Sequence, residues 1–131
     1  MGNILVLTSD RNNDTISTVW KESYISGCHI VDDVYKISRI LQGEIETCHI
    51  PAINKLDVSV YCNKDGKQSG LLPSASINDQ WIYGPLVFVG FNRQTGDFVS
   101  MTPDVKQQIQ ALFRNVFITY EDDLFYGPAL S

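Results

Sequence analysis

Two Cys-His pairs carry the most reactive side chains in the sequence. Cys28-His29 and Cys48-His49 each place a thiol beside an imidazole, and Cys62 adds a third thiol. Thiolates and imidazoles bind zinc, and a thiol activated by histidine can act as a nucleophile. Adjacent strand residues point to opposite faces, however, and no C-x-x-C pair or glycine-framed nucleophile turn accompanies them. We therefore predict no metal ligand and no catalytic residue, and keep a small hydrolase or metalloprotein as an alternative.

Four side chains between residues 61 and 67 alternate in a way that could build a ligand surface. They are Tyr61, Asn63, Asp65 and Lys67. Alternate residues of an extended strand share one face, so a ring, an amide, a carboxylate and an ammonium group would lie together. Such a set suits a nucleobase or ribose-phosphate ligand. The same residues also fit a hairpin whose polar side chains satisfy their own turn, and both interpretations stay open.

Two aromatic residues extend this predicted ligand site. Trp81 and Tyr83 stand just before the Gly84-Pro85 step. Rings at alternate positions could form a stacking wall for a flat ligand, and they could equally belong to the core. We include both among the predicted ligand-binding residues.

Acidic and aromatic residues meet near the end of the chain, in a tail that we place at 117–131. Large apolar side chains beside acids are typical of contacts to a basic partner or to a second subunit. A solvated chain end would have the same composition. The residues of the predicted partner-binding segment are Glu121, Asp122, Asp123, Leu124, Phe125 and Tyr126.

Hydrophobic spacing predicts the elements of the first third of the chain. Ile4–Leu7 is typical of a short strand buried on both faces, and the polar residues 9–14 predict a turn. Residues 15–31 lean towards β structure, because β-branched and aromatic residues recur there.

A helix and a strand are predicted next. Asp32 or Asp33 would cap a helix that runs to Leu41, with Gly43 at its C-terminal end. Residues 44–50 alternate with a period of two and predict a strand that ends before a proline.

Two hairpins and a second helix are predicted in the remainder. The first hairpin turns at 63–66, where Gly66 would supply a positive φ, and the second turns at 92–96 between arms at 82–91 and 97–101. Thr102, followed by Pro103 and an acid, is typical of a helix start, and apolar spacing continues that helix to Val116. The predicted fold class is α+β: an antiparallel sheet of two hairpins and the N-terminal strand, with two helices packed on one face.

The motifs of residues 61–90, taken in order, resemble a known family. Tyr61, Asn63 and the Asp65-Gly66-Lys67 run match its turn, with Lys64 in place of one acid, and the Leu72-Pro73 and Gly84-Pro85 steps follow. The family is the domain of unknown function numbered thirty-eight forty-six, small proteins of phages and bacterial mobile elements. Ser74 stands where the family often has asparagine, and we count it with the predicted ligand-binding residues.

The resemblance covers residues 32–108 and implies a setting rather than a reaction. Within one predicted domain of 131 residues, we interpret 32–108 as a family-like core, 9–31 as an insertion and 117–131 as the tail. Three cysteines are an odd number and favour free thiols in a reducing compartment, so we expect the host cell cytoplasm. No apolar run is long enough for a membrane span, and the net charge of -5 argues against direct nucleic-acid binding.

The missing catalytic motif leads us to predict a non-enzymatic binding protein without a cofactor. In its phage or mobile-element setting it would inhibit host defence, either by sequestering a nucleotide-derived immune signal or by blocking a host defence protein. The expected partners are therefore a small nucleotide-like ligand or a host defence protein, and a homo-oligomer is a further expectation. The alternative is an acidic mimic of nucleic acid that occupies a basic site on a host nuclease or repressor, since 15 acidic residues exceed 10 basic ones.

Overall fold

The computed structural model describes residues 2–26 and 30–131, which form a mixed α+β fold. The strands are β1 (Gly2–Asn12), β2 (Thr15–Ile25), β3 (Ile45–Cys48), β4 (Val58–Asn63), β5 (Pro73–Ile77), β6 (Gln80–Tyr83), β7 (Leu86–Asn92), β8 (Asp97–Val99), β9 (Arg114–Tyr120) and β10 (Asp123–Leu130). The helices are α1 (Ile30–Leu41), α2 (Pro51–Asn54) and α3 (Pro103–Leu112).

The strands join into one curled open sheet. Its order is β3-β4-β7-β1-β2-β10-β5-β6, with β8 paired to β7 and β9 paired to β10. Strand β10 is parallel to β2 and to β5, whereas the other pairs are antiparallel. Strand β10 therefore joins the β5–β6 pair to the rest of the sheet. No helix in the described ranges is long and apolar enough to cross a membrane.

Alternate residues of β1 face two separate core layers. Ile4 and Val6 pack with α1, whereas Leu5 and Leu7 pack with α3. All four side chains are buried, as expected for an apolar strand covered on both faces. The prediction of two helices on one face is therefore wrong, because both faces of this sheet are apolar and each needs a cover.

Strand β1 continues further than its apolar residues. It pairs with β2 from Gly2↔Ile25 to Asn12↔Thr15, so the turn shrinks to residues 13 and 14. The predicted turn at 9–14 is therefore wrong over 9–12. Polar residues are tolerated there because this end of the hairpin is exposed.

Helix α1 is confirmed, but both of its ends differ in detail from the prediction. It begins at Ile30, so Asp32 and Asp33 lie in the first turn instead of capping it. At the other end Gln42, with φ 64°, takes the left-handed position that we had expected for Gly43. Gly43 N donates to Ser38 O at 3.2 Å and Gln42 N to Arg39 O at 3.2 Å, the bond pair of a Schellman ending.

The first predicted hairpin is not formed. Strand β4 pairs with β3 and β7, while residues 73–77, as β5, pair with β6 and β10. Residues 64–70 instead form a compact turn with an Asp65 O···Ser69 N hydrogen bond of 2.8 Å and a Gly66 O···Leu71 N bond of 3.0 Å. Gly66 does not adopt a positive φ, so the prediction that it supplies one to a hairpin turn is also wrong.

The second predicted hairpin is confirmed only around its loop. Strands β7 and β8 pair from Gly90↔Val99 to Asn92↔Asp97. The long arm at 82–91 divides at Gly84, whose φ is 86°, and at Pro85, which has no N–H to donate to a ladder. Strand β6 therefore ends at the rim of the sheet, and β7 enters its centre.

Helix α3 begins as predicted and ends early. Thr102 Oγ1 accepts a hydrogen bond from Val105 N at 3.2 Å, and Pro103 occupies the first turn. The helix stops at Leu112, so the prediction of a helix to Val116 is wrong. Residues 115–120 are mostly β-branched or aromatic, and they form an edge strand against β10.

Candidate functional site

A groove lies between strands β3 and β6. Its cavity volume is about 480 Å³, within the range of small-molecule sites. Strand β3 pairs only with β4, and β6 only with β5, among the described strands. The groove therefore lies between two strands at opposite ends of the curled sheet, each with an unpaired backbone edge.

Four of the seven predicted ligand-binding residues line this groove: Asn63, Lys67, Trp81 and Tyr83. The other three, Tyr61, Asp65 and Ser74, do not. Tyr61 packs on the α1 side of the sheet, with its ring centroid 6.3 Å from that of Phe98.

The positions of Asp65 and Ser74 follow from the turn and from β5. Asp65 is exposed in the turn at 64–70, and Ser74 is fully buried with its hydroxyl 3.4 Å from Ile82 O. Alternation along β4 separates Tyr61 from the groove, since Val60 and Cys62 face the other core layer. Shared strand parity therefore does not bring Tyr61, Asn63, Asp65 and Lys67 together, because strand β4 ends at Asn63 and the backbone turns there.

The buried side chain of Asn63 connects α1 to the turn at 64–70 by two hydrogen bonds. Its Nδ2 donates to Leu41 O at 2.9 Å, and its Oδ1 accepts from Asp65 N at 2.8 Å. A Cβ at Gly43 would lie 2.6 Å from this Nδ2, so only glycine leaves room for the amide. The amide satisfies a helix-end carbonyl and a turn N–H, which matches the structural interpretation of this residue.

Gly66 presses the turn against β6. A Cβ there would lie 2.3 Å from Tyr83 O, a contact with rigid backbone. This close approach places Lys67 Nζ 5.9 Å from the centroid of the Tyr83 ring, a cation–π distance. Glycine is needed at position 66 because the turn backbone contacts the backbone of β6 there. This contact places the Lys67 ammonium group at the groove.

Trp81 and Tyr83 of β6 belong to an aromatic cluster with residues of β9 and β10. The Trp81 ring lies 4.8 Å from that of Phe125 and 5.2 Å from that of Tyr120, and the Tyr83 ring lies 6.1 Å from that of Tyr120. The pKa of Tyr120 is raised above its ordinary value, mainly by desolvation and to a smaller extent by a hydrogen bond with the Tyr83 hydroxyl. Sequence reasoning missed Tyr120, although alternate apolar residues at 116, 118 and 120 indicate a strand.

The opposite wall contains two neighbouring thiols. Cys48 Sγ and Cys62 Sγ are 2.8 Å apart, and both residues line the groove with His49. The hydrogen bond between them raises the pKa of Cys48 and lowers that of Cys62. In the described ranges no three His, Cys, Asp or Glu side chains converge as metal ligands, and Cys28 and His29 lie outside those ranges.

The charge of the groove differs in sign from that of the whole chain. Lys64 and Lys67 line it against one carboxylate, Glu46, so these side chains sum to +1 with histidine neutral. The complete sequence carries -5. Lys64 Nζ also lies 3.8 Å from Glu44, whereas Lys67 forms no ion pair within the described residues. Lys67 is therefore the ammonium group best able to meet an anion.

The predicted partner-binding segment lies on the β9–β10 hairpin. Glu121 and Asp122 form its exposed turn, and Asp123 pairs with Arg11 at 2.8 Å. Phe125 is fully buried, while Leu124 and Tyr126 point outwards with 37% and 48% exposure. Alternation along β10 thus divides the segment between the core and the surface.

Phe117 enlarges the outward side of this hairpin. It is 59% exposed and pairs with Tyr126 across the two strands, and its ring centroid lies 5.9 Å from that of Tyr126 at a tilted angle of 59°. Sequence reasoning placed residue 117 in the tail without assigning it a contact. The cross-strand register is what joins it to Tyr126.

Comparison with protein families gives one match. The family described as Domain of unknown function (DUF3846) matches residues 28–114, about two thirds of the chain. The chain belongs to this family. The match confirms the resemblance drawn from the turn and the two proline steps, and its range extends a little beyond 32–108. Comparison with curated proteins and with solved structures gives no match.

The DUF3846 region contains every residue that lines the groove. Three strands lie entirely outside this region: β1, β2 and β10. Those outer strands nevertheless occupy the middle of the sheet, between β7 and β5. The family region therefore supplies the groove walls, and the flanking strands connect them.

Proposed function

We propose that this chain is a non-enzymatic binding protein of phage or mobile-element origin whose β3–β6 groove holds a small anionic ligand of the nucleotide class. The observation that carries the proposal is the positive groove of an acidic chain, about 480 Å³ in volume and lined by Lys67 and Tyr83. An ammonium group matches a phosphate, and an aromatic wall matches a base. The unpaired edges of β3 and β6 add backbone donors and acceptors for a polar ring.

The setting implied by the family resemblance extends this proposal. A protein that binds such a ligand stoichiometrically would withdraw a nucleotide-derived signal from a host defence pathway. Protein purified from cells that produce such signals should then carry a small molecule, which mass spectrometry under native conditions detects together with the subunit count.

A thermal-shift panel tests the groove directly. AMP, cyclic nucleotides and ADP-ribose serve as probes, and inorganic phosphate tests the anion alone. A ligand at 100 times its Kd stabilises by about 2.7 kcal/mol. For a chain of this length that is a rise in Tm of roughly 10 °C.

Two matched lysine variants locate the binding. Lys67→Gln should lose most of the shift, because it removes the ammonium group beside Tyr83. Lys55→Gln should keep the shift, because Lys55 is exposed at the end of α2 and does not line the groove. The absence of stabilisation by any nucleotide, or an equal loss in both variants, would overturn the proposal.

A second candidate function is the blocking of a host protein by the β9–β10 surface. Its support is the exposed apolar strip of Phe117, Leu124 and Tyr126, since solvent-facing aromatic residues are frequent in protein interfaces. Phe117→Ser should abolish binding to the partner, whereas Val99→Ser, on an exposed site of β8, should preserve it. Sedimentation velocity of the chain alone reports whether a second copy occupies the strip instead.

The acidic-mimic alternative has less support from the geometry. Of the three consecutive acids at 121–123, Asp123 is paired with Arg11, so the acidic turn presents two unpaired carboxylates among the described contacts. A mimic should bind its partner with a steep dependence on salt, because exposed charges are screened over about 10 Å at 0.1 M. Affinity that does not change between low and high salt would exclude it.

A further inference from the structure

Cys48 and Cys62 occupy a diagonal position across two hydrogen-bonded strands. The β3–β4 register pairs Glu46 with Cys62 and Cys48 with Val60. The two cysteines are therefore offset by two residues and lie on the same side of the strand pair. Their Sγ atoms are 2.8 Å apart. A disulfide bond is about 2.05 Å long, so the two sulfurs need to approach by roughly 0.8 Å.

Solvent reaches this pair from the groove. Cys48 is half-buried, Cys62 is 8% exposed, and both line the cavity. The Cys48 thiol donates to Cys62 Sγ and lowers the pKa of Cys62, which favours a thiolate at that position. Thiolates are the reactive form of cysteine, so we expect the Cys62 sulfur to react with an oxidant before the Cys48 sulfur does.

We propose that Cys48 and Cys62 form a reversible intrachain disulfide, a modification site on the wall of the groove. With a peroxide as oxidant, Cys62 thiolate attacks one oxygen, an S–O bond forms, and the O–O bond breaks. The leaving hydroxide takes a proton to become water, and Cys62 becomes a sulfenic acid. Cys48 sulfur then attacks Cys62 sulfur, and the S–O bond breaks with release of a second water. Two thiols and one peroxide thus give one disulfide and two waters, with two electrons passing from sulfur to oxygen.

The fold favours this internal bond over separate oxidation of each thiol. Strands β3 and β4 are already paired from Ile45↔Asn63 to Cys48↔Val60, and this register holds the two sulfurs 2.8 Å apart, so the bond needs only a small adjustment within the strand pair. The second thiol lies within contact of the first and therefore competes with any free thiol in solution. Both features concern the strand pair alone and do not rest on what the groove binds.

Redox titration in glutathione buffers tests the site. The experiment uses the full chain with Cys28→Ser, which leaves the pair as the only thiols in the sequence. After alkylation of free thiols, intact mass should show both disappear together, with the loss of two hydrogen atoms per chain. Proteolysis should yield one peptide pair linked through residues 48 and 62, and dithiothreitol should restore both thiols.

Single replacements provide the controls. With Cys48→Ser or Cys62→Ser in the same background, the remaining thiol should take up one glutathione, because its internal partner is absent. The proposal is overturned if the two-cysteine protein carries glutathione on both residues without an internal link. It is also overturned if both residues stay reduced at the most oxidising ratio. Neither result bears on nucleotide binding, which the thermal-shift panel measures in reduced protein.

Discussion

Replacing Asn63 by aspartate separates its structural role from a ligand-binding role. The amide Nδ2 donates to Leu41 O at 2.9 Å, and Oδ1 accepts from Asp65 N at 2.8 Å. Asn63→Asp keeps the shape and the acceptor, but it turns an oxygen towards the carbonyl at the C-terminal end of α1. The side chain is 7% exposed, so little water can replace the lost donor.

Two terms set the expected loss of stability at pH 7. Leaving a buried carbonyl without its donor costs about 1–3 kcal/mol. A negative charge at a helix C-terminus adds about 0.3–1 kcal/mol, because that end of the helix is itself negative. The sum of about 1.3–4 kcal/mol corresponds to a fall in Tm of roughly 5–14 °C for 131 residues.

The loss should depend on pH in a defined direction. Burial and the nearby carbonyl favour the neutral form, so the pKa of the introduced carboxyl should rise in the folded state above its unfolded value of about 3.9. The protonated carboxyl can donate to Leu41 O. The deficit relative to the parent chain should therefore be small near pH 4 and should grow as pH rises through the folded pKa.

Urea denaturation of both chains at the two pH values measures this deficit. Asn92→Asp is the matched control, since Asn92 Oδ1 accepts from Gln94 N at 2.9 Å and from Thr95 N at 3.2 Å, and a carboxylate can do the same. The control should unfold at nearly the parental urea concentration. If Asn63→Asp is as stable as Asn92→Asp at pH 7, the structural role assigned to the Asn63 amide is refuted. Unchanged stability with lost nucleotide binding would assign Asn63 to the ligand.

Three further predictions concern neighbouring parts of the fold, each measured by the urea midpoint. Gly66→Ala should cost close to the upper end of the about 1–3 kcal/mol known for overpacking, because its Cβ would lie 2.3 Å from Tyr83 O. Gly70→Ala, with φ 76° and open space, should cost only about 1 kcal/mol of backbone strain, and equal losses would contradict the close-approach argument. Because the pKa of Tyr120 is raised, the folded state retains a proton that the unfolded state releases. The free energy of unfolding should therefore fall as pH rises above about 10. Tyr120→Phe should weaken this pH dependence. Thr102→Ala should cost about 1 kcal/mol through loss of the α3 cap, and an unchanged midpoint would show that the cap is not needed.

Local sequence signals predicted the elements that depend on neighbouring residues. The Thr102-Pro103 start of α3, the body of α1 and the loop between β7 and β8 all follow from capping, spacing and turn chemistry within a few residues. The burial of β1 on both faces is likewise visible in the run Ile4–Leu7. These signals are short-ranged, so one sequence is enough to read them.

The errors occur where distant contacts override a local preference. Asp65-Gly66 is a strong hairpin signal, yet β4 pairs with β3 and β7, because those partners bury Val58 and Val60 in the core. The same competition ends α3 at Leu112: the following residues pack against β10, and β pairing wins over the continued helical spacing.

The candidate site shows the same division between local and distant causes. The sequence by itself determined that residues 61–67 and 81–83 carry aromatic, amide and ammonium groups near a glycine turn. Only the tertiary structure decided that Lys67 and Tyr83 share a groove, that Asn63 brackets a helix and that Tyr61 faces the other layer. Strand order and the curl of the sheet are set by how both apolar faces are covered, a property of the whole chain. A pattern within seven residues contains no information on which strand will lie opposite, so the site becomes visible only when β3 and β6 meet across the groove.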